Sequence, residues 1–336
     1  MPSLLQKLLL GIPLACLATG HALTDSVSSN YKIDVHSHVV PPIWREELIS
    51  AGYPVKNGTL YTDGFPVSNW TLDSHITTMN SLEAKKAKSL ARRVNLQLHK
   101  YTRTYPTRLG ALCLLPLPYV DEAVEELKFC LDTLGFVGVG LYTNANGTYL
   151  GDKSLDPVFS ALDKRNASVF VHPASPECTS VANGWPIPMT EYPFDTVRAI
   201  ENMLLTGQRA QYPDIKMIFA HGGGAIPFLA TRIAGMASLP WLGGLSVPES
   251  LAQLAGYYFD TAASTSAIQL AALRSFVGTD QIVVGTDYPY VPASQASAGL
   301  SAMQVNGNFT TVEMGQINNL NALKIFPRIV KALKLH

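Results

Sequence analysis

The 336 residues are 47% hydrophobic and 15% charged, with 25 Lys and Arg against 25 Asp and Glu. Zero net charge, with no long block of one sign, excludes the basic footprint of a nucleic-acid binder. The low charged fraction points to a globular body, and the length is enough for one α/β barrel.

At the amino end, Lys7 precedes an apolar run from Leu8 to Leu17, and small residues follow at Gly20 and Ala22. Residues 1–22 therefore read as a cleavable secretory signal. The run is too short for a membrane span of ~20 residues, so no membrane segment is expected in the mature form. Residues 23–336 then read as a single domain. Glycosylation sequons at Asn57, Asn69, Asn146, Asn166 and Asn308 fit a secreted or extracellular protein, with the cytosol as the alternative address. Outside the signal, Cys113, Cys130 and Cys178 are odd in number and widely spaced, so no disulfide framework is expected.

Strand-like runs follow at Tyr31–Val35, Leu109–Leu115, Phe136–Tyr142, Ser168–Val171, Ile215–Ala220, Tyr257–Asp260 and Ile282–Gly285. Helical periodicity lies between them, at Val120–Leu134, Leu155–Arg165, Phe194–Leu205 and Ser266–Phe276. Alternation of this kind predicts a parallel sheet with crossover helices. Seven strands are visible and not the eight of a closed barrel: Asp73–Tyr105 reads as helix throughout, so either the barrel is incomplete or its second strand escapes the pattern, and Lys85, Lys86, Lys88, Arg92 and Arg93 read as a solvated face. Loss of the second strand would leave neighbouring edges unpaired, a costly arrangement when buried.

His36-Ser37-His38 follows the first strand and puts two imidazoles on one face, a pairing that suits a divalent ion. Three later runs end on His172, His221 and Asp287. A single polar residue at a strand end is as readily a cap satisfied by backbone or water. Several in phase, at the end where parallel barrels carry their sites, favour a metal centre. Trp70, Tyr288 and Tyr290 admit two readings, stacking on an aromatic ligand or filling the core. Arg232, in the apolar stretch Phe228–Ile233, fits an interface ion pair or a substrate carboxylate equally well. Gly222-Gly223-Gly224 suits a close backbone approach to a ligand or simply a tight turn.

Five blocks in order carry a resemblance: His36-Ser37-His38, Val171-His172-Pro173, His221 with its three glycines, Gly285-Thr286-Asp287-Tyr288-Pro289, and Asn321-Ala322-Leu323-Lys324-Ile325-Phe326. Together they resemble the amidohydrolase superfamily, in its branch of metal-dependent decarboxylases that act without oxygen. The phrase Leu150-Gly151-Asp152 is most similar to the fungal 6-methylsalicylate decarboxylases. The resemblance implies a TIM-type (β/α)8 barrel, distorted or lacking its second strand. It implies one divalent ion, zinc or else manganese, on His36, His38, His172 and Asp287. His221 and Asp287 would be catalytic, with His221 supplying a proton to the ring. Arg232, Trp70 and Tyr290 would bind a small aromatic carboxylic acid, with Arg232 reaching across a homodimer. Hydrolysis of a lactone, ester or amide by the same residues is the alternative chemistry. A truncated barrel without catalysis is the other.

Overall fold

The computed structural model describes residues 49, 54–62, 65–66, 72–287 and 290–329. The expected signal at 1–22, the expected strand at 31–35, His36, His38, Trp70 and Tyr288 lie outside the described residues. The described residues fall into two compact units that divide between Ser89 and Leu90.

In the smaller unit, β1 (Val55–Lys56), β2 (Thr59–Thr62) and β3 (Phe65–Pro66) pair antiparallel in that order. Asn57 and Gly58 link the first two, both at positive φ (50° and 78°), as a two-residue hairpin turn requires. Helix α1 (Leu72–Thr104) begins in this unit and ends in the larger one. No strand interrupts it, in agreement with its sequence.

The larger unit continues with β4 (Leu112–Leu114), α2 (Val120–Lys128) extended by a π turn at Phe129–Thr133, and β5 (Gly138–Tyr142). A small hairpin, β6 (Asn144–Ala145) and β7 (Thr148–Tyr149), precedes α3 (Asp156–Asp163) and β8 (Ser168–His172). Then come α4 (Glu191–Leu205), α5 (Gln208–Gln211), β9 (Lys216–Phe219), α6 (Ile226–Ala237) and α7 (Val247–Ala255). The chain ends through β10 (Tyr258–Asp260), α8 (Ala267–Val277), β11 (Ile282–Val283), α9 (Ala293–Asn306), α10 (Thr311–Gly315) and α11 (Asn321–Ile325).

The six long-range strands form one parallel sheet in the order β4-β5-β8-β9-β10-β11. Strand order never reverses, so right-handed crossovers put every connecting helix on the same side, the winding of a barrel and not of a doubly wound sheet. Among the described residues the ring is not closed.

Side chains alternate between the two faces. Val139, Leu141, Val169, Val171, Met217, Phe219 and Phe259 turn to the helices and form the main core. Phe170, Ile218, Tyr258 and Val283 turn the other way and pack with Ile325 and Phe326. On that inner face β5 offers Gly138, where an added Cβ would lie 2.4 Å from the Ser168 carbonyl, so glycine at this position is a packing requirement. The carboxyl-terminal segment ties the strand starts together: Asn321 Nδ2 donates to the carbonyls of Thr279 and Ile282 at 2.8 Å each, and Lys216 Nζ to that of Lys324 at 2.9 Å. Arg328 donates to the carbonyls of Leu131 and Phe136.

Among the described residues β4 is an edge strand, and α1 supplies a side chain to it. Asn95, fully buried, accepts the Leu114 N–H and donates to the Leu114 carbonyl, both at 2.9 Å, so one carboxamide stands in for a strand residue. Its Nδ2 also donates to buried Glu126, which Arg92 neutralises at 2.9 Å. Arg92 further stacks over Phe129, 3.6 Å from the ring centre. It is therefore not part of a solvated face, because a buried carboxylate without a cation would be far more costly than ordering one arginine. The cysteine arithmetic also needs correction. Cys113 and Cys130 form a disulfide between β4 and the π turn, and Cys178 is free and exposed. An odd count concealed a single long-range pair.

Replacing Asn95 by Ala leaves a strand N–H, a carbonyl and a carboxylate short of partners. We expect a loss of about 2–4 kcal/mol, read from urea denaturation.

Candidate metal centre

Strand ends and the turns after them build the centre. His172 is the last residue of β8, on the inner face, and its register partner on β5 is Tyr142. The Nδ1–H of His172 donates to the Pro173 carbonyl at 2.8 Å, which leaves the Nε2 lone pair free for a ligand. His221 follows β9, its ring centre 5.1 Å from that of His172. Asp287 follows β11, its Oδ2 3.6 Å from His221 Nε2. One donor atom from each of His172, His221 and Asp287 lies within 4.8 Å of the others. Two imidazoles and a carboxylate, one imidazole already fixed in tautomer, fit a borderline divalent cation.

Both turns after β9 and β11 carry backbone strain. His221 has φ 57° and Asp287 φ 55°, in the left-handed region that costs a non-glycine residue about 1–3 kcal/mol. Asp260, at the end of β10, holds the first of them: its Oδ1 accepts the N–H of His221 at 2.8 Å and that of Ala262 at 3.0 Å. Gly285 makes room, since a Cβ there would come within 2.8 Å of the Asp260 carboxyl carbon. The three glycines after His221 all have positive φ. Side chains at Gly223 and Gly224 would strike Phe259 and the Pro193 backbone, at 2.6 and 2.3 Å, so the run serves a tight turn against protein.

Electrostatics separate the two histidines. Burial, aided by the positive charge of His221, pushes His172 down to about 4, so it is neutral and ready to ligate. Burial also opposes charge on His221, but Asp287 beside it and Asp260 behind it outweigh that cost and raise its pKa above the ordinary histidine value. Burial drives Asp260 up to about 6, against the pull of His221 and two backbone donors.

A second buried carboxylate, Asp195 on α4, gathers the loops around His172. It accepts from Thr143 Oγ1, from Tyr149 OH and, at 3.0 Å, from Asn144 Nδ2. Thr143 Oγ1 in turn accepts the N–H of Ala174 at 2.9 Å, two residues beyond His172. Tyr192 sets its ring edge-on to His172, 5.6 Å between centres.

Of the residues singled out from the sequence, His172, His221 and Asp287 come together. Tyr290 is 75% exposed. Arg232 is exposed, on the side of α6 opposite to the face that Ile226, Ala230 and Ile233 bury. Asn144 is buried against Asp195, and Asn146 sits exposed at the hairpin tip with φ 52°. Asp260, Asp195, Tyr142 and Tyr192 were not singled out. For Asp260 the signal was present, since it ends a strand-like run just as His172 does.

Comparison with known proteins agrees with this geometry. A family model described as amidohydrolase matches residues 33–328. The chain is 32% identical over 314 residues to a 6-methylsalicylic acid decarboxylase of Penicillium expansum, covering 89% of this chain and 97% of that one. A solved structure described as an amidohydrolase superposes with a TM-score of 0.66 at 26% identity, over 87% of this chain and 98% of that one. A dihydroxybenzoic acid decarboxylase from Polaromonas, solved with manganese and 2-nitroresorcinol, shares the fold at a TM-score of 0.65 and 22% identity, over 73% and 76% of the chains.

In metal-free protein the depressed His172 predicts a slope of stability with pH. Unfolded, this side chain titrates near ~6.5; folded, near about 4. Between those values the unfolded chain binds the extra proton, so the contribution is complete above the upper value and is lost as pH falls toward the lower one. Denaturation midpoints in chelator, compared with His172→Gln, should show this part of the slope only in the parent.

Proposed function

The chain belongs to the amidohydrolase family, and from that membership we propose a TIM-type barrel enzyme, a metal-dependent carboxy-lyase that removes the carboxylate of a small hydroxylated aromatic acid of the 6-methylsalicylate kind. The observation that carries the reading is the convergence of His172, His221 and Asp287 at the strand ends of a chain 32% identical to a 6-methylsalicylic acid decarboxylase.

His172 and Asp287 hold the ion, and the sequence offers His36 and His38 as the remaining donors. Zinc is the metal we favour, on a donor set richer in imidazole than in oxygen; manganese, bound in the Polaromonas relative, is the other candidate. When bound, the ion supplies positive charge that holds the carboxylate and the neighbouring phenolate oxygen of the substrate. Asp287 and Asp260 offset the burial of His221 and favour its protonated form. His221 donates that proton to the ring carbon bearing the carboxylate. The carbon–carbon bond then breaks, its electron pair returns to the ring, and CO2 leaves. Asp287, 3.6 Å from His221 Nε2, steadies the imidazolium before transfer.

Tyr290 at the rim and Trp70 are the proposed stacking residues. Arg232 is assigned to a substrate carboxylate across a homodimer. Supporting that arrangement, Phe228 and Met236 stand on the outward side of α6, 64% and 46% exposed, close in sequence to Trp241 at 76%. We assign the mature chain to the secretory pathway, on the strength of the 1–22 segment and two further features. The Cys113–Cys130 disulfide suits an oxidising compartment, and the sequon asparagines 57, 146, 166 and 308 all sit exposed on turns at positive φ.

Zinc- or manganese-loaded protein should release CO2 from 6-methylsalicylate. His221→Asn should keep the metal and lose roughly 100- to 10,000-fold in kcat, and His172→Ala should lose the metal itself. Failure of metal-loaded protein to act on any hydroxybenzoate, or full activity in His221→Asn, overturns the assignment. For the dimer, Phe228→Glu should halve the mass measured by light scattering.

A further inference from the structure

His221 and Asp287, whose side chains meet at 3.6 Å, stand at the ends of strands that do not pair with each other. Between β9 and β11 runs β10, which supplies none of the three donors of the centre. The backbone ladders on its two sides stop short of both residues: the last register pairs are Phe259 with Phe219 and Asp260 with Val283. Beyond them both neighbours leave the sheet through turns at positive φ, which main-chain pairing cannot follow.

Two consecutive side chains take over where the ladders end. Asp260 holds the end of β9, accepting the His221 N–H at 2.8 Å. Thr261 holds the end of β11: its Oγ1 accepts the Gly285 N–H at 3.1 Å and turns its own hydroxyl to the Gly285 carbonyl at 3.5 Å, two residues before Asp287. Both residues are buried. Valine would fill the space of this threonine but leave the Gly285 N–H without its acceptor, so the contribution of Thr261 lies in the backbone it holds.

We infer that Asp260 and Thr261 are positioning residues, a two-sided clamp through which β10 sets the separation of His221 from Asp287. The inference rests on the carboxy-lyase reading and deepens it by dividing the labour: the Asp260 side places the proton donor, and the Thr261 side places the carboxylate offered to the ion. For this, neither side chain need touch the substrate. Displacing a reacting group by about 1 Å is enough to cost ~100-fold in rate, and loosening the support of a metal ligand costs roughly 10- to 100-fold in affinity.

The test reads the two sides separately. In Asp260→Ala, kcat on 6-methylsalicylate should fall roughly 10- to 100-fold while zinc affinity, from competition with a chromophoric chelator, stays near that of the parent. In Thr261→Val the zinc affinity should fall roughly 10- to 100-fold, and Thr261→Ser, which keeps the hydroxyl, should restore it. Amide hydrogen exchange of the metal-free protein gives a readout without activity. Positions 220–224 should exchange faster in Asp260→Ala and be protected again in Asp260→Asn, which keeps an acceptor oxygen; positions 284–287 should exchange faster in Thr261→Val. Equal effects of both substitutions on every readout, as a general loss of stability would give, overturn the inference. No effect of either, or Thr261→Ser behaving like Thr261→Val, overturns it as well. If no hydroxybenzoate is turned over but zinc affinity and exchange divide as stated, the lyase assignment falls and the clamp stands.

Discussion

Parallel pairing in a fixed register places every second side chain of six neighbouring strands on one face, and the centre depends on this. The pairing of Val169 with Met217 and of Val171 with Phe219 puts the apolar residues of one phase against the helices. The opposite phase is then obliged to fill an interior. Its lower part is occupied by Phe170, Ile218, Tyr258 and Val283, sealed by Ile325 and Phe326. Its upper part consists of Tyr142, His172 and Asp260, which no apolar core could accept unless they met a charge, a metal or a ligand. A slip of one residue in β8 would send His172 into the helix layer and Val171 into the site.

Precision beyond the strands comes from two buried carboxylates. Asp260 fixes the backbone of His221 in a conformation that the residue would otherwise leave, and adds negative charge behind its ring. Asp195 joins Thr143, Asn144 and Tyr149, and through Thr143 the backbone just after His172. A site on loops is usually imprecise. Here the loops are short turns whose N–H groups and hydroxyls end on buried carboxyl oxygens.

How much of this was legible in the sequence follows from the range of each interaction. Strands and helices of the larger unit were, because periodicity in Val120–Leu134 or Phe136–Tyr142 is local. The trio His172, His221 and Asp287 was too, since each closes an apolar run. Tyr142 was hidden because a strand-end tyrosine looks like any core aromatic; its place beside His172 comes from strand pairing, and that is a property of three-dimensional surroundings. Arg92 was misread as solvated for the same reason, as its partner Glu126 lies 34 positions away. The disulfide between Cys113 and Cys130, 17 positions apart, has no local signature at all.

Among the described residues β4 is one edge of the sheet, and the side chains around it show how such an edge is satisfied. An edge strand exposes only alternate N–H and C=O pairs toward a lateral neighbour, and β4 is three residues long. One carboxamide, that of Asn95, can therefore answer for Leu114, the residue nearest the carboxyl end of the sheet, provided its helix is held against the strand. Glu126 and Arg92 hold it there, and the disulfide anchors β4 to the turn that follows α2. The metal-centre residues at the ends of β8, β9 and β11 lie at least two strands from that edge, so the satisfaction of β4 is local to it.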